Sequence, residues 1–229
     1  MPKMNADYFS KKRNKILDAA FAVCMKKPMH EVSMRDVISE SGLSQGGIYR
    51  YYSNLDEILV ELINRDSIRH GTKEKVDMVV SLDYPPEKVV EEVFLIWEKT
   101  ILDSLIGIGK IYYEICVIYA NDKERLDYFT SNNLMSSEQN YLWEKLFNFI
   151  GQQISEGYFI PKIPLDDLLK LHIITIDGIM RDLILCGHYG LPLPFPGMLD
   201  KERIVKSFCL AFVIMLGGND ELLYKENPL

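Results

Sequence analysis

The stretch 33-SMRDVISESGLSQGGIYRYY-52 decides how the rest of the chain is read. Its first half places Val37 and Ile38 on one side of a short helix that Ser33 can cap. Gly42 follows as a natural left-handed terminator, and Ser44 caps a second short helix running from Gln45 towards Tyr52. Two helices of about two turns each, meeting across a tight glycine-containing turn, form a helix-turn-helix. Val37, Ile38, Leu43 and Ile48 close the small core between them, helped by Tyr52 and by an earlier helix. In such a motif the second helix lies in the major groove of DNA with its first residues towards base edges. Gly46 and Gly47 fall in that first turn. Inside a helix each would cost about 1 kcal/mol relative to Ala, but a missing side chain lets backbone N–H groups come close to phosphate.

Outward from this motif, apolar residues recur at helical spacing almost throughout, with no strong strand alternation, internal repeat or low-complexity tract. The chain therefore reads as all-α. Residues 11–27 form a first helix with Ile16, Leu17, Ala20, Phe21, Val23 and Cys24 on one stripe, ended by Pro28. Asn54, with Glu57 three residues on, resembles a capping box for a fourth helix that reaches about Lys73. After the Asp83-Tyr84-Pro85-Pro86 break, helices are expected at about 86–106, 109–120, 123–131, 136–157, 165–187 and 200–217. Gly157, Pro161, Pro164 and the Pro-rich loop Gly190–Gly197 separate the later ones. Short, closely joined helices followed by long ones give two domains: residues 1–53 as a helix-turn-helix head and 54–229 as a larger helical domain, linked by helix 54–73.

The 229 residues carry a net charge of −7, which looks wrong for a nucleic-acid binder until it is split along the chain. Residues 1–53 hold nine Lys or Arg against five acids, a balance of +4, so the remainder carries −11. Local charge is what matters, because each phosphate neutralised releases condensed counterions. The four cysteines, at 24, 116, 186 and 209, show no CxxC and no metal spacing, and read as reduced core residues of a cytosolic protein. Basic residues 11–15 before ILDAAFAVCM imitate a signal peptide, but Asp18 interrupts the run and the Ala20-Phe21-Ala22 triplet lies inside it. The longest uncharged stretch near the C-terminus, Ser207–Asn219, falls well short of the ~20 residues that span a bilayer. A cytoplasmic location without membrane contact is expected.

The segments ILDAAFAVCMKK and VSMRDVISESGLSQGGIYRYYSNLDEIL together resemble the N-terminal domain of the TetR family of transcriptional regulators. The resemblance covers roughly residues 11–62. It rests on the Arg35-Asp36 pair, the Gly-hydrophobic-Ser turn, a Gly two residues after that Ser, and the aromatic run from Tyr49 to Tyr52. It implies that Gln45 and Gly46 sit at base-contacting positions, with Ser44 capping and Gly47 beside them. Gln45 can bond adenine N6 and N7 in a bidentate way. By the same resemblance Tyr49 and Tyr51 contact phosphates or thymine methyls, and Ser33 and Arg35 start the preceding helix near the DNA backbone. Arg50 is either a further contact or a solvated charge. Many relatives hold phosphate with a Lys at the start of the fourth helix; here Leu55 stands there, leaving that contact absent or supplied by backbone, Ser53 or Asn54.

The resemblance further implies an α-helical ligand-binding and dimerisation domain. A homodimer would form through helices 165–187 and 200–217, since the run from Ser207 to Leu216 is apolar on nearly every face. Two heads about ~34 Å apart, or somewhat further, would match a near-palindromic operator. Trp97, Tyr112, Cys116, Phe147, His172 and Thr175 are the candidates for an effector pocket, and an ordinary aromatic core is the competing reading. His172, set among Leu and Ile, reads first as a hydrogen-bonded core histidine. The four histidines form no i, i+4 pair and suggest no metal site, and no cofactor or catalytic constellation is visible. The expected function is a DNA-binding transcriptional regulator, a repressor released from its operator by a small-molecule effector. A ligand-responsive activator and a helical interaction protein are the alternatives.

Overall fold

A computed structural model describes residues 6–68, 71–105, 107–192 and 200–223. The order of elements is α1 (Ala6–Lys26), a 3-10 turn (Met29–Glu31), α2 (Met34–Ser41), α3 (Gln45–Tyr49), α4 (Leu55–Ile68) and α5 (Thr72–Val80). There follow α6 (Pro86–Leu105), α7 (Ile108–Tyr119), α8 (Lys123–Asn132), α9 (Leu134–Ser155), α10 (Leu165–Tyr189) and α11 (Lys201–Leu216). Among the described residues there is no strand, so the all-α reading holds.

The chain folds into two compact units, one of residues 1–69 with 107–136 and the other of residues 70–106 with 137–229. A boundary at 53/54 does not follow this packing. Ile58, Leu59, Leu62 and Ile63 of α4 share one buried core with Ile16, Leu17, Ala20, Val37 and Ile48 of the head. Ile108, Ile111, Ile115 and Tyr119 of α7 and Phe129 of α8 complete that core. The expected helix 54–73 is also interrupted. It stops at Ile68, and Gly71, at φ 56° and ψ 41°, precedes a separate α5 that periodicity did not reveal. Only a residue without a Cβ enters that left-handed conformation without penalty. Most of the loop 190–197 lies outside the described residues.

Two polar clusters fix α7 and α8 within the first unit. Lys110, almost fully buried, donates from Nζ to the carbonyl of Cys24 at 2.8 Å and to that of Lys27 at 3.5 Å. The last carbonyls of a helix have no partner of their own, so this ammonium caps the C-terminal end of α1. Glu114, one turn on, pairs with Lys110 at 3.1 Å and accepts from the Met29 N–H at 2.8 Å. In the second cluster Arg125 grips Asp56 with both ends of its guanidinium, Nε–Oδ2 2.9 Å and Nη2–Oδ1 2.6 Å. The Tyr119 hydroxyl donates to the same carboxylate. Burial pushes the Asp56 carboxyl up, but the bonds from Arg125 and Tyr119 outweigh it and hold the group below the usual aspartate range.

The second unit packs α6 against α5 and α11, and α10 against α11. Val89, Val90, Val93, Phe94, Leu146, Ile150, Leu168, Cys209, Phe212 and Leu216 fill its interior. Buried Glu87 accepts from the Tyr158 hydroxyl and from the Asn219 N–H, each at 2.8 Å, anchoring the start of α6. Gly217 ends α11 at φ 77°, where a Cβ would lie 2.3 Å from the Ile160 carbonyl oxygen. The close approach of that backbone leaves no residue but glycine room there.

Candidate nucleic-acid interface

The helix-turn-helix is assembled by short-range hydrogen bonds that its sequence encodes. At the start of α2 the Asp36 carboxylate accepts from the Ser33 N–H at 2.9 Å and from the Ser33 hydroxyl at 2.7 Å. Lys27 reaches the other oxygen of Asp36 at 2.7 Å, tying the end of α1 to the start of α2, and Lys26 pairs with Glu40 at 2.9 Å. Gly42 turns the chain at φ 62° and ψ 19°. Buried Ser41 braces this turn: its hydroxyl donates to the Ile38 carbonyl at 3.0 Å and accepts from the Leu43 N–H at 3.1 Å. The sequence reading gave Ser41 no role, although serine beside a terminating glycine is a usable signal. The Ser44 hydroxyl then accepts from the Gly47 N–H at 3.2 Å and starts α3.

The hydrogen bonds from Lys27 and Ser33 hold the Asp36 carboxyl down at about 2. Its folded value thus lies below the ordinary ~3.9 of an aspartate, so its stabilisation is present above that pH and is lost as pH falls towards about 2. Asp36→Asn should cost roughly 0.5–2 kcal/mol, as lost helix caps do. It should also flatten the acid limb of a stability-versus-pH curve measured by urea unfolding. An unchanged acid limb would show that the bond contributes nothing.

The recognition segment is shorter than expected, since α3 ends at Tyr49 instead of reaching Tyr52. Ile48 is fully buried, whereas Ser44, Gln45, Gly46 and Tyr49 are exposed, Tyr49 at 45%. Gln45 and Tyr49, four apart, share the outward side of one turn. A Cβ added to Gly46 would meet nothing within 4 Å, so nothing inside the subunit requires glycine there. Gly47 differs: half-buried, it would bring a Cβ to 3.0 Å from the Ser44 hydroxyl oxygen. Ser33 and Arg35 are exposed at the start of α2. Among the described residues no ion pair engages Arg35 or Arg50, while Arg13, Lys26 and Lys27 are committed to Glu61, Glu40 and Asp36.

Arg50 and Tyr51 follow α3 and lean back on α1. The Arg50 guanidinium lies 5.6 Å from the Phe9 ring centre, and the half-buried Tyr51 ring meets Phe9 edge-on at 6.1 Å. Phe9 belongs to an extra turn of α1 starting at Ala6, which the reading from residue 11 missed. At the start of α4 the Asn54 side chain accepts from the Glu57 N–H at 3.0 Å, and Glu57 accepts from the Ser53 N–H at 2.7 Å. The Ser53 N–H is therefore already used, and Leu55 is half-buried against the core.

Residues 16–62 match the sequence model described as bacterial regulatory proteins, tetR family. The match runs from the second half of α1 into α4, across the elements just described. Residues 16–62 are thus a TetR-type regulatory domain. The chain is 24% identical over 188 residues to the uncharacterised HTH-type transcriptional regulator YfiR of Bacillus subtilis, covering 80% of this chain and 85% of that one. It is 23% identical over 167 residues to the HTH-type transcriptional repressor KstR2 of Mycobacterium tuberculosis, covering 70% and 76%. Its fold is shared by a TetR-family structure from Syntrophomonas wolfei, with a TM-score of 0.60 at 16% identity over 91% of this chain and 96% of that one. Both of these relatives, YfiR and KstR2, are named as HTH-type regulators of transcription.

The six effector candidates separate. Tyr112 and Cys116 belong to the first unit: the Tyr112 ring lies 5.7 Å from Phe129, and burial pushes the Cys116 thiol up. Phe147 and His172 meet in the second unit and Trp97 is linked to them through Trp143, with half-buried Thr175 one turn beyond His172 on α10. His172 is 1% exposed and ringed by aromatic side chains, Trp143 at 4.2 Å, Phe212 at 5.2 Å, Phe147 at 5.3 Å and Phe208 at 5.4 Å between ring centres. The expected hydrogen-bonded core histidine is not what the structure shows. Among the described residues neither imidazole nitrogen has a hydrogen-bond partner, and nor does the buried Trp97 Nε1. Each such group costs about 1–3 kcal/mol.

Burial lowers the His172 pKa to about 3, so the imidazole is neutral in the folded chain. An unfolded histidine takes its proton near ~6.5, so stability is full above that pH and declines as pH falls towards the folded value. His172→Phe should remove up to roughly 1.4 kcal/mol per pH unit of that decline, read as the difference between wild-type and variant urea unfolding from pH 6.5 to 4. Parallel curves would contradict the burial argument. Among the described residues no cluster of three or more His, Cys, Asp or Glu is placed to hold a metal ion, and no helix is long and apolar enough to cross a membrane.

Proposed function

We propose that the chain is a cytoplasmic repressor that binds a near-palindromic operator as a homodimer and leaves it when a small molecule binds the helical portion after residue 53. The carrying observation is the outward start of α3. Gln45, Gly46 and Tyr49 face solvent without serving the subunit's own packing, beside Arg35 and Arg50, which carry no ion pair among the described residues. Gln45 reads a base edge, Gly46 admits the duplex to close range, and Ser33, Arg35, Ser44, Gly47, Tyr49, Arg50 and Tyr51 hold or shape the DNA backbone contact. KstR2, to which the chain is similar, is a repressor by name, which favours repression here.

Footprinting on the DNA upstream of the chain's own gene tests this reading. A protected, two-fold symmetric site whose occupancy falls steeply with salt supports it. Absence of any protected sequence there and beside neighbouring genes would refute it.

The dimer interface is assigned to α10 and α11. The sequence argument for it changes, because Cys209, Phe212, Val213 and Leu216 of α11 are buried within their own unit. Of these two helices it is α10 that exposes large apolar side chains, Leu171, Ile173 and Ile174 at 46%, 55% and 68%. Such side chains suit an isologous contact with a second copy. Ile174→Asp should weaken the dimer by about 2 kcal/mol, roughly thirtyfold in Kd. Sedimentation equilibrium would read it, and a dimer of unchanged strength would remove α10 from the interface.

A further inference from the structure

The geometry points to a ligand site around His172 and Trp97 that takes a neutral, apolar molecule bearing a hydroxyl group. This deepens the effector reading above and rests on it. The floor of the site is made by Phe94 and Phe212, both 0% exposed. Its wall is made by the half-buried rings of Trp143, Phe147 and Phe208, which reach the surface of the unit. These rings, whose centres stand 4.2–5.4 Å from the imidazole, are the ones a ligand would displace to reach His172. Trp97 lies beside them, its ring 5.7 Å from that of Trp143.

The chemistry of the unpartnered atoms selects the ligand. A neutral imidazole offers one N–H donor and one acceptor nitrogen, and an indole offers a donor only. A hydroxyl donates once and accepts twice, so it serves the imine nitrogen or an N–H, whichever it meets. A carboxylate only accepts and leaves the imine nitrogen unserved. An ammonium only donates and leaves both N–H groups unserved. Either ion would also be stripped of water against aromatic carbon, since the rings of Phe94, Trp143, Phe147, Phe208 and Phe212 around His172 are uncharged. The apolar remainder of the ligand then packs on ring faces and edges, as aromatic side chains favour.

The chain holds two tryptophans, Trp97 and Trp143, and both stand at this site, so its intrinsic fluorescence reports on the site directly. Calorimetric titration of the full chain at neutral pH with 4-propylphenol, propylbenzene and 4-propylbenzoate compares one apolar frame with three ends. The phenol should bind at least about tenfold more tightly than the other two, with a change in tryptophan emission. His172→Phe keeps a ring and removes both nitrogens. In that variant, folded by circular dichroism, the phenol and propylbenzene should agree within about twofold. The proposal is overturned if phenol and propylbenzene bind wild-type chain equally, which is the result expected if water serves these nitrogens. It is equally overturned if the benzoate binds tightest, if His172→Phe keeps the gap, or if no probe binds up to its solubility limit. Operator binding by the same preparation is measured without probe. If it persists while the phenol preference fails, only the ligand assignment falls; if it is absent, the repressor reading falls instead.

Discussion

Gly46→Glu should leave the protein as stable as before and reduce operator affinity by at least about a hundredfold. The two halves of this result pull in opposite directions. Within the subunit the new side chain meets no atom within 4 Å of its Cβ. Glutamate also removes the glycine penalty of up to about 1 kcal/mol and adds an acid near a helix N-terminus, worth about 0.3–1 kcal/mol. Thermal unfolding should therefore shift upward or not at all. On the docking proposed above, the same carboxylate stands where a groove rimmed by phosphates must approach, and like charges so placed cost several kcal/mol. Gly46→Ala should show a weaker form of the same split. If Gly46→Glu binds the operator as wild type in an electrophoretic mobility assay, the start of α3 does not face DNA.

Lys110→Met should destabilise the first unit by about 3–5 kcal/mol, the usual consequence of removing one partner of a buried ion pair. The side chains of Lys110 and Glu114 are 9% and 11% exposed, so solvent cannot replace the lost charge. Three groups lose by the change: Glu114 keeps a buried charge, and the carbonyls of Cys24 and Lys27 lose their donor. Adding Glu114→Gln should recover part of the loss, because a neutral amide can still accept from the Met29 N–H. The reading is the midpoint of urea unfolding together with the slope. A loss below about 1 kcal/mol would mean that this pair is well solvated and not the clamp described.

The local parts of this fold were legible because their signals are local. Pro28, the Gly42 turn, the Ser44 cap and the Asn54–Glu57 cap each act within four residues, and each stands where the sequence placed it. What failed was non-local or rested on one backbone angle. Gly71 was passed over because a single glycine does not announce a positive φ. The pocket candidates Tyr112 and Cys116 carry suitable chemistry, yet periodicity cannot say which core a helix joins. One overlooked signal existed. In the segment IGKIYYEICVIY, a lysine and a glutamate four apart in an otherwise apolar helix imply a buried pair with a tertiary task.

Because residues 107–136 return to complete the core around Ile16, Val37 and Ile48, the DNA-reading head is not a detachable cassette. A chimeric regulator made by grafting residues 1–53, or even 1–69, onto a foreign sensor would carry a head whose hydrophobic interior is open on the side that Ile111, Ile115 and Phe129 cover. On the docking proposed above, exchange of specificity between such proteins would proceed by swapping the outward side chains of a five-residue helix, or by moving two separated stretches of gene together.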